Sequence, residues 1–94
     1  MKPFRSKVYR DAGKGAVCVL CRSATATDAA HIRLAGTCGT GQKPPDVAIL
    51  DMCRDCHLEY GNMNREEDAG DVLRGLVLTL MRRAELGFFG EGDE

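Results

Sequence analysis

Hydrophobic and polar positions change their rhythm several times along the chain, and each change marks an element. Residues 1–14 have no apolar period. Phe4 and Tyr9 interleave with Lys2, Arg5, Lys7 and Arg10, the pattern of a basic arm that either meets nucleic acid through stacking and charge or docks onto the domain surface. Residues 15–24 (GAVCVLCRSA) are a short apolar stretch with Cys18 and Cys21 built into it, which reads as a tight turn. Residues 25–34 set Thr, Ile and Leu among small residues and predict a strand. Residues 35–46 (AGTCGTGQKPPD) hold three Gly and two Pro and predict a loop. Residues 47–52 (VAILDM) predict a second strand, so the pair forms a hairpin with a long connection.

Two helices follow. Residues 53–63 predict a short one ending near Gly61. Asn64 with Glu67 three residues on has the form of a capping box, and Gly87 sits where a C′ residue belongs. Between them Val72, Leu73, Leu76, Val77, Leu80, Met81 and Ala84 recur at helical spacing. Burial of an apolar face supplies most of a helix's stability, so this stripe is expected to cover the hairpin; the competing reading is a homodimer interface. The chain divides into a basic arm (1–14), a hairpin-and-helix unit (15–63), a C-terminal helix packing on it (64–87) and an acidic tail (88–94).

Length and composition narrow the class. With 94 residues, 44% of them hydrophobic, the chain fits one globular domain. Such a domain buries only ~60–65% of its unfolded surface. It has no Trp and only 5% aromatics, so its core needs other support. No apolar run approaches the ~20 residues of a membrane span. The charged first 14 residues lack the apolar segment of a secretory signal. These features predict a cytoplasmic protein without a membrane partner. The net charge of −1 hides an asymmetry: residues 1–33 carry seven basic and two acidic side chains, and the remainder six basic and twelve acidic. A basic front half is compatible with a polyanionic partner, nucleic acid above all.

The chemistry concentrates on cysteine and histidine. Cys18-x-x-Cys21 and Cys53-x-x-Cys56 are separated by a gap of 31 residues. Two such pairs supply four thiolates, the donor set of a closed structural Zn²⁺ site. Disulfides would require an oxidising compartment, and a thioredoxin-like pair a βαβ setting that this chain lacks. Cys53-x-x-Cys56-His57 also has the form of c-type haem attachment, but that requires export and leaves Cys18 and Cys21 unexplained. The fifth cysteine, Cys38, reads as a small buried residue of the loop. His31 lies on the first strand and His57 directly follows the second cysteine pair.

Strand, loop, strand and a helix opened by Cys-x-x-Cys-His together resemble the HNH, or ββα-metal, nuclease fold. More narrowly, Ala30-His31-Ile32-Arg33-Leu34, the glycine-rich stretch 36–41 and Lys43-Pro44-Pro45-Asp46 resemble the YbcO-like family of small nucleases in lambdoid phages and prophages. The resemblance covers about residues 16–60. It implies a small α+β fold, a zinc-stapled ββα-metal unit with a C-terminal amphipathic helix, acting as a DNA endonuclease in a bacterial host cell. It also implies His31 as general base and His57 as ligand of a catalytic divalent ion, Mg²⁺ or Mn²⁺. The family's middle Asn is absent; Asp46 is the nearest polar residue and the expected second ligand, ahead of Asp28 and Asp51. Ala30 stands where many members carry a further ligand. Arg33 and Lys43 flank these positions and are the expected phosphate contacts. A non-catalytic zinc module that binds nucleic acid is the alternative.

Overall fold

The computed structural model describes residues 3–34 and 42–90; Cys38 lies outside the described residues. The elements run α1 (Lys7–Asp11), β1 (Asp28–His31), β2 (Ile49–Met52), α2 (Arg54–Tyr60), a 3₁₀ turn (Glu66–Asp68) and α3 (Ala69–Glu85). β1 and β2 are antiparallel, with Asp28 opposite Met52 and His31 opposite Ile49. That register places Asp28, Ala30, Leu50 and Met52 on one face and Ala29, His31, Ile49 and Asp51 on the other. Two strands alone are marginal in water. Here every residue of β2 is buried, with α3 packed against it. Leu50 and Met52 join Val19, Ile32, Met63, Val72 and three of the cysteines in one core. Among the described residues no helix is long and apolar enough to cross a membrane.

The strands are shorter than the pattern suggests. Residues 15–26 fold back on themselves, with Cys18 N–H donating to Ala24 O (2.8 Å) and Ala26 N–H to Ala16 O (2.7 Å). Thr25 and Ala26 therefore belong to the cysteine turn, and the strand starts only at Asp28.

The N-terminal arm is docked. Ser6 caps α1 by accepting from Tyr9 N–H (3.1 Å). The Tyr9 ring is completely buried, edge-on to Phe4 (5.4 Å) and Phe88 (5.2 Å) and beneath the Arg83 guanidinium (5.0 Å). Phe88 reaches it because α3 closes in a Schellman motif. Gly87 (φ +87°) donates to Ala84 O (3.0 Å) and Phe88 to Arg83 O (3.0 Å). Gly87 thus fills the C′ role expected of it.

The start and the buried face of α3 both depart from the sequence reading. Met63 adopts φ +59° and buries its side chain in the core. The chain then passes through the 3₁₀ turn, and the α-helix begins at Ala69 with Asp68 at its N-cap, so the Asn64–Glu67 box does not open it. The buried face is Val72, Gly75, Thr79 and Arg83. Leu73, Val77 and Met81, three members of the expected apolar stripe, are 63%, 46% and 54% exposed. The reason is Asp51, which lies in β2 beneath the helix and takes a guanidinium rather than a methyl group. Only Val72, Leu76 and the off-stripe Leu78 reach the core from the helix's apolar side chains.

Close approach of α3 to β2 depends on Gly75. A Cβ there would meet Leu50 Cδ2 at 2.5 Å and Val19 Cγ2 at 3.2 Å. Leu50 is fully buried and has nowhere to retreat. Gly75→Ala gains about 1 kcal/mol of helix propensity but overpacks the core at a cost of about 1–3 kcal/mol, so a net loss is expected. At Gly70 a Cβ meets only open space, and Gly70→Ala should be neutral or stabilising. Urea denaturation of the two variants should therefore shift in opposite directions or, at the least, fall only for Gly75→Ala.

Candidate metal centre and polar groove

The two cysteine pairs converge because each sits in a turn that presents its sulfurs. In the first, Arg22 N–H donates to Cys18 O (3.1 Å) and Arg22 takes φ +58°, reversing the chain. In the second, Cys53 is the N-cap of α2, its Sγ accepting from Cys56 N–H (3.5 Å). The four Sγ atoms lie within 4.8 Å of one another, Cys21 and Cys53 at 3.9 Å. A tetrahedral zinc with Zn–S bonds of ~2.3 Å requires sulfurs ~3.8 Å apart. The thiols also divide electrostatically. The Ser23 backbone amide and hydroxyl, with the Ala24 amide, lower Cys21 to about 6. Burial, then the Cys53, Cys18 and Cys21 thiols, push Cys56 well up. Four thiolates cannot share so small a space without a counter-charge, and a divalent cation supplies it. Donor set and spacing both fit zinc.

Beside this centre, α1, β1 and α2 border an open polar groove of roughly 350 Å³. Its lining includes both histidines together with Arg10, Lys14, Lys43 and Arg54. Each histidine is backed by a carboxylate. His57 Nδ1 lies 2.7 Å from Asp28 Oδ2. Burial works against the charged form of Asp28, but the His57 hydrogen bond, the Thr27 hydroxyl and the Arg54 charge outweigh it and hold the carboxyl below its ordinary range. An ionised carboxylate only accepts, so Nδ1 carries a proton, and in the neutral ring the lone pair is on Nε2. This is the arrangement in which a metal-binding histidine is oriented from behind.

His31 ends β1, with Nε2 2.9 Å from Asp46 Oδ1. Burial opposes ionisation of Asp46, yet the Ser6 amide, His31 and Arg10 hold its pKa down at about 2. By the same logic His31 donates from Nε2, which in the neutral ring leaves the lone pair on Nδ1. Neither His31 Nδ1 nor His57 Nε2 has a hydrogen-bond partner among the described residues.

The structure thus brings His31, His57 and Lys43 to one groove, and the four cysteines to one centre. It gives Asp46 other company than a metal: Oδ1 faces His31 and Arg5, and Oδ2 faces Ser6 N–H and Arg10. Arg33 lies outside the groove lining, its guanidinium 3.4 Å from Gln42 O. Ala30 is buried in the core, so the carboxylate beside His57 comes from Asp28 instead. Asp51 is committed to Arg83 and Arg82. Sequence reasoning missed Arg10 and Lys14 as groove residues, because nothing in a one-dimensional pattern distinguishes a docked arm from a free one.

No family model matches the chain, and no solved structure matches it. Among curated proteins, "Putative nuclease YbcO" of Escherichia coli (strain K12) is 41% identical to it over 63 residues. The protein of the same name from Enterobacteria phage 82 is 41% identical over 63 residues as well. The matched region is 67% of this chain and 65% of each relative, so the chain spans just under two thirds of the length of the proteins it matches. A chain with a four-cysteine centre and a two-histidine groove is thus similar, over 67% of its length, to proteins that carry the name "Putative nuclease" in a bacterium and a phage.

Proposed function

We propose that the protein is a metal-dependent DNA endonuclease of the HNH, ββα-metal type. The observation that carries the reading is two imidazoles, each backed by a carboxylate and each with its second nitrogen unpartnered, on one cation-lined groove. His31 Nδ1 takes a proton from water as the water oxygen attacks phosphorus, and the bond to the leaving sugar oxygen breaks in line. A divalent ion, Mg²⁺ or Mn²⁺, bound through His57 Nε2 and phosphate oxygens would neutralise charge on the phosphate and the leaving oxygen. Lys43 and Lys14 hold the phosphate from the groove walls, and Arg33 meets the strand outside it. Zinc held by Cys18, Cys21, Cys53 and Cys56 would fix α2, and so His57, against the sheet. Similarity to proteins that carry the name "Putative nuclease" in a bacterium and a phage supports DNA inside the bacterial cell as the substrate.

The test is nicking of supercoiled plasmid in Mg²⁺, Mn²⁺ or Ni²⁺. His31→Ala should lower the rate by about 10²–10⁴-fold, the usual contribution of a general base, with one zinc per chain retained. Wild-type cleavage by that variant would remove His31 from the role. One observation favours a second reading, a non-catalytic zinc module that binds nucleic acid: the carboxylates behind the two histidines, Asp46 and Asp28, are already paired with arginines. It predicts no cleavage in any of the three metals, with DNA affinity that falls steeply as salt rises.

A further inference from the structure

The loop before β2 and the N-terminal segment are built around a single carboxylate. Asp46 is 1% exposed. Its backbone N–H donates to Phe4 O (2.9 Å), and its Oδ2 accepts from Ser6 N–H (2.7 Å) and Arg10 Nη1 (2.5 Å). Arg5 fastens the same loop from the other side, through Lys43 O (2.7 Å), Pro44 O and Asp46 Oδ1 (3.3 Å). Everything on the Oδ2 side is a donor. On the Oδ1 side stand the His31 imidazole and Arg5. A carboxylate this enclosed has one orientation, and it leaves His31 one tautomer.

We propose that Asp46 is the positioning residue of His31 and that residues 5–10 are its mount, so that the N-terminal segment sets which imidazole nitrogen faces the groove. The proposal rests on the reading of His31 as base. It assigns Arg5 a part in the reaction although Arg5 does not line the groove.

Asp46→Asn tests it through a specific consequence. Ser6 N–H and Arg10 approach Oδ2 at 2.7 and 2.5 Å, whereas Arg5 reaches Oδ1 only at 3.3 Å and keeps two carbonyl acceptors, so the amide oxygen takes the Oδ2 place and the NH₂ the Oδ1 place. That NH₂ donates to His31 Nε2 and forces the proton onto Nδ1, the atom required as base. The same amide-for-carboxylate change disables a histidine base by selecting the wrong tautomer in serine proteases.

The full-length zinc-loaded protein would be studied in two ways: two-bond ¹H–¹⁵N correlation of the His31 ring, and single-turnover plasmid nicking. Wild type should show the Nε2–H tautomer and Asp46→Asn the Nδ1–H tautomer, with nicking at least about 100-fold slower and KM near wild type. Arg5→Gln should give mixed tautomers and a rate down about tenfold, partly restored in Arg5→Lys. Retention of the Nε2–H tautomer in a folded Asp46→Asn protein overturns the proposal. So does wild-type rate and tautomer in Arg5→Gln, which keeps the test alive if Asp46→Asn does not fold. If wild type nicks nothing, the nuclease reading fails by itself, and the ring spectra still decide whether Asp46 sets the tautomer.

Discussion

Cys18→Ser, or stripping the metal with a strong chelator, should unfold the protein rather than merely weaken it. Structural zinc in a small domain contributes an apparent ~10–16 kcal/mol near neutral pH, as large as the whole stability of a typical domain, ~5–15 kcal/mol. This fold has little to set against that loss. Its sheet has two strands, and much of α3's apolar surface faces outward. The cysteines join the 15–26 turn to α2, and three of them are part of the core itself. Without the ion, burial keeps Cys56 a neutral thiol and no metal–sulfur bond ties the 15–26 turn to α2 at the four sulfurs. Far-UV circular dichroism recorded during chelation should fall to a coil-like signal and recover on adding one equivalent of Zn²⁺. An apoprotein that still melts cooperatively would show that the centre is not what holds the fold.

The second large effect is expected at Asp51. Arg83 is completely buried and donates Nη1 and Nη2 to Asp51 (2.9 and 2.7 Å) and Nε to Tyr9 O (2.8 Å). Thr79 Oγ1 accepts from Asp51 N–H (3.3 Å). Asp51→Ala leaves that guanidinium without a counter-charge and should cost about 3–5 kcal/mol. In a small domain this approaches the entire margin of stability. Replacing both partners, Asp51→Leu with Arg83→Met, should recover much of it, because a buried pair's desolvation nearly cancels its attraction. The urea midpoint of the three proteins decides. A double variant as unstable as Asp51→Ala would mean that shape around Gly13, whose Cβ would lie 2.0 Å from the Asp51 carboxylate, outweighs charge there.

These two sites mark what was and was not legible beforehand. The cysteine spacing announced its centre, because four soft donors in two pairs have few other uses. The succession of strand, strand and helix was legible from residue type and punctuation, and Gly61 and Gly87 ended their helices as glycine should. His31 and His57 stood out by scarcity. The Asp51–Arg83 pair was invisible: an arginine in a helix and an aspartate in a strand each look like surface residues until tertiary contact joins them. That pair also explains the misassigned face of α3, since a count of apolar positions cannot register a buried guanidinium. Asp46 stands out as a polar residue near His31, but its contacts with Arg5, Ser6 and Arg10 are not legible, because those residues lie 36 to 41 positions away in a segment without periodic signal.

Tyr9 is enclosed by Arg83 and Phe88, residues almost a whole chain length away. During synthesis α1 emerges before the Asp46 loop that fastens it, and the pocket around Tyr9 is completed only once the last turn of α3 has followed. Closing so long a loop comes late in folding. Asp46 and His31 therefore gain their final support only after α3 has been made, and a chain cut before Arg83 would carry an incompletely assembled groove.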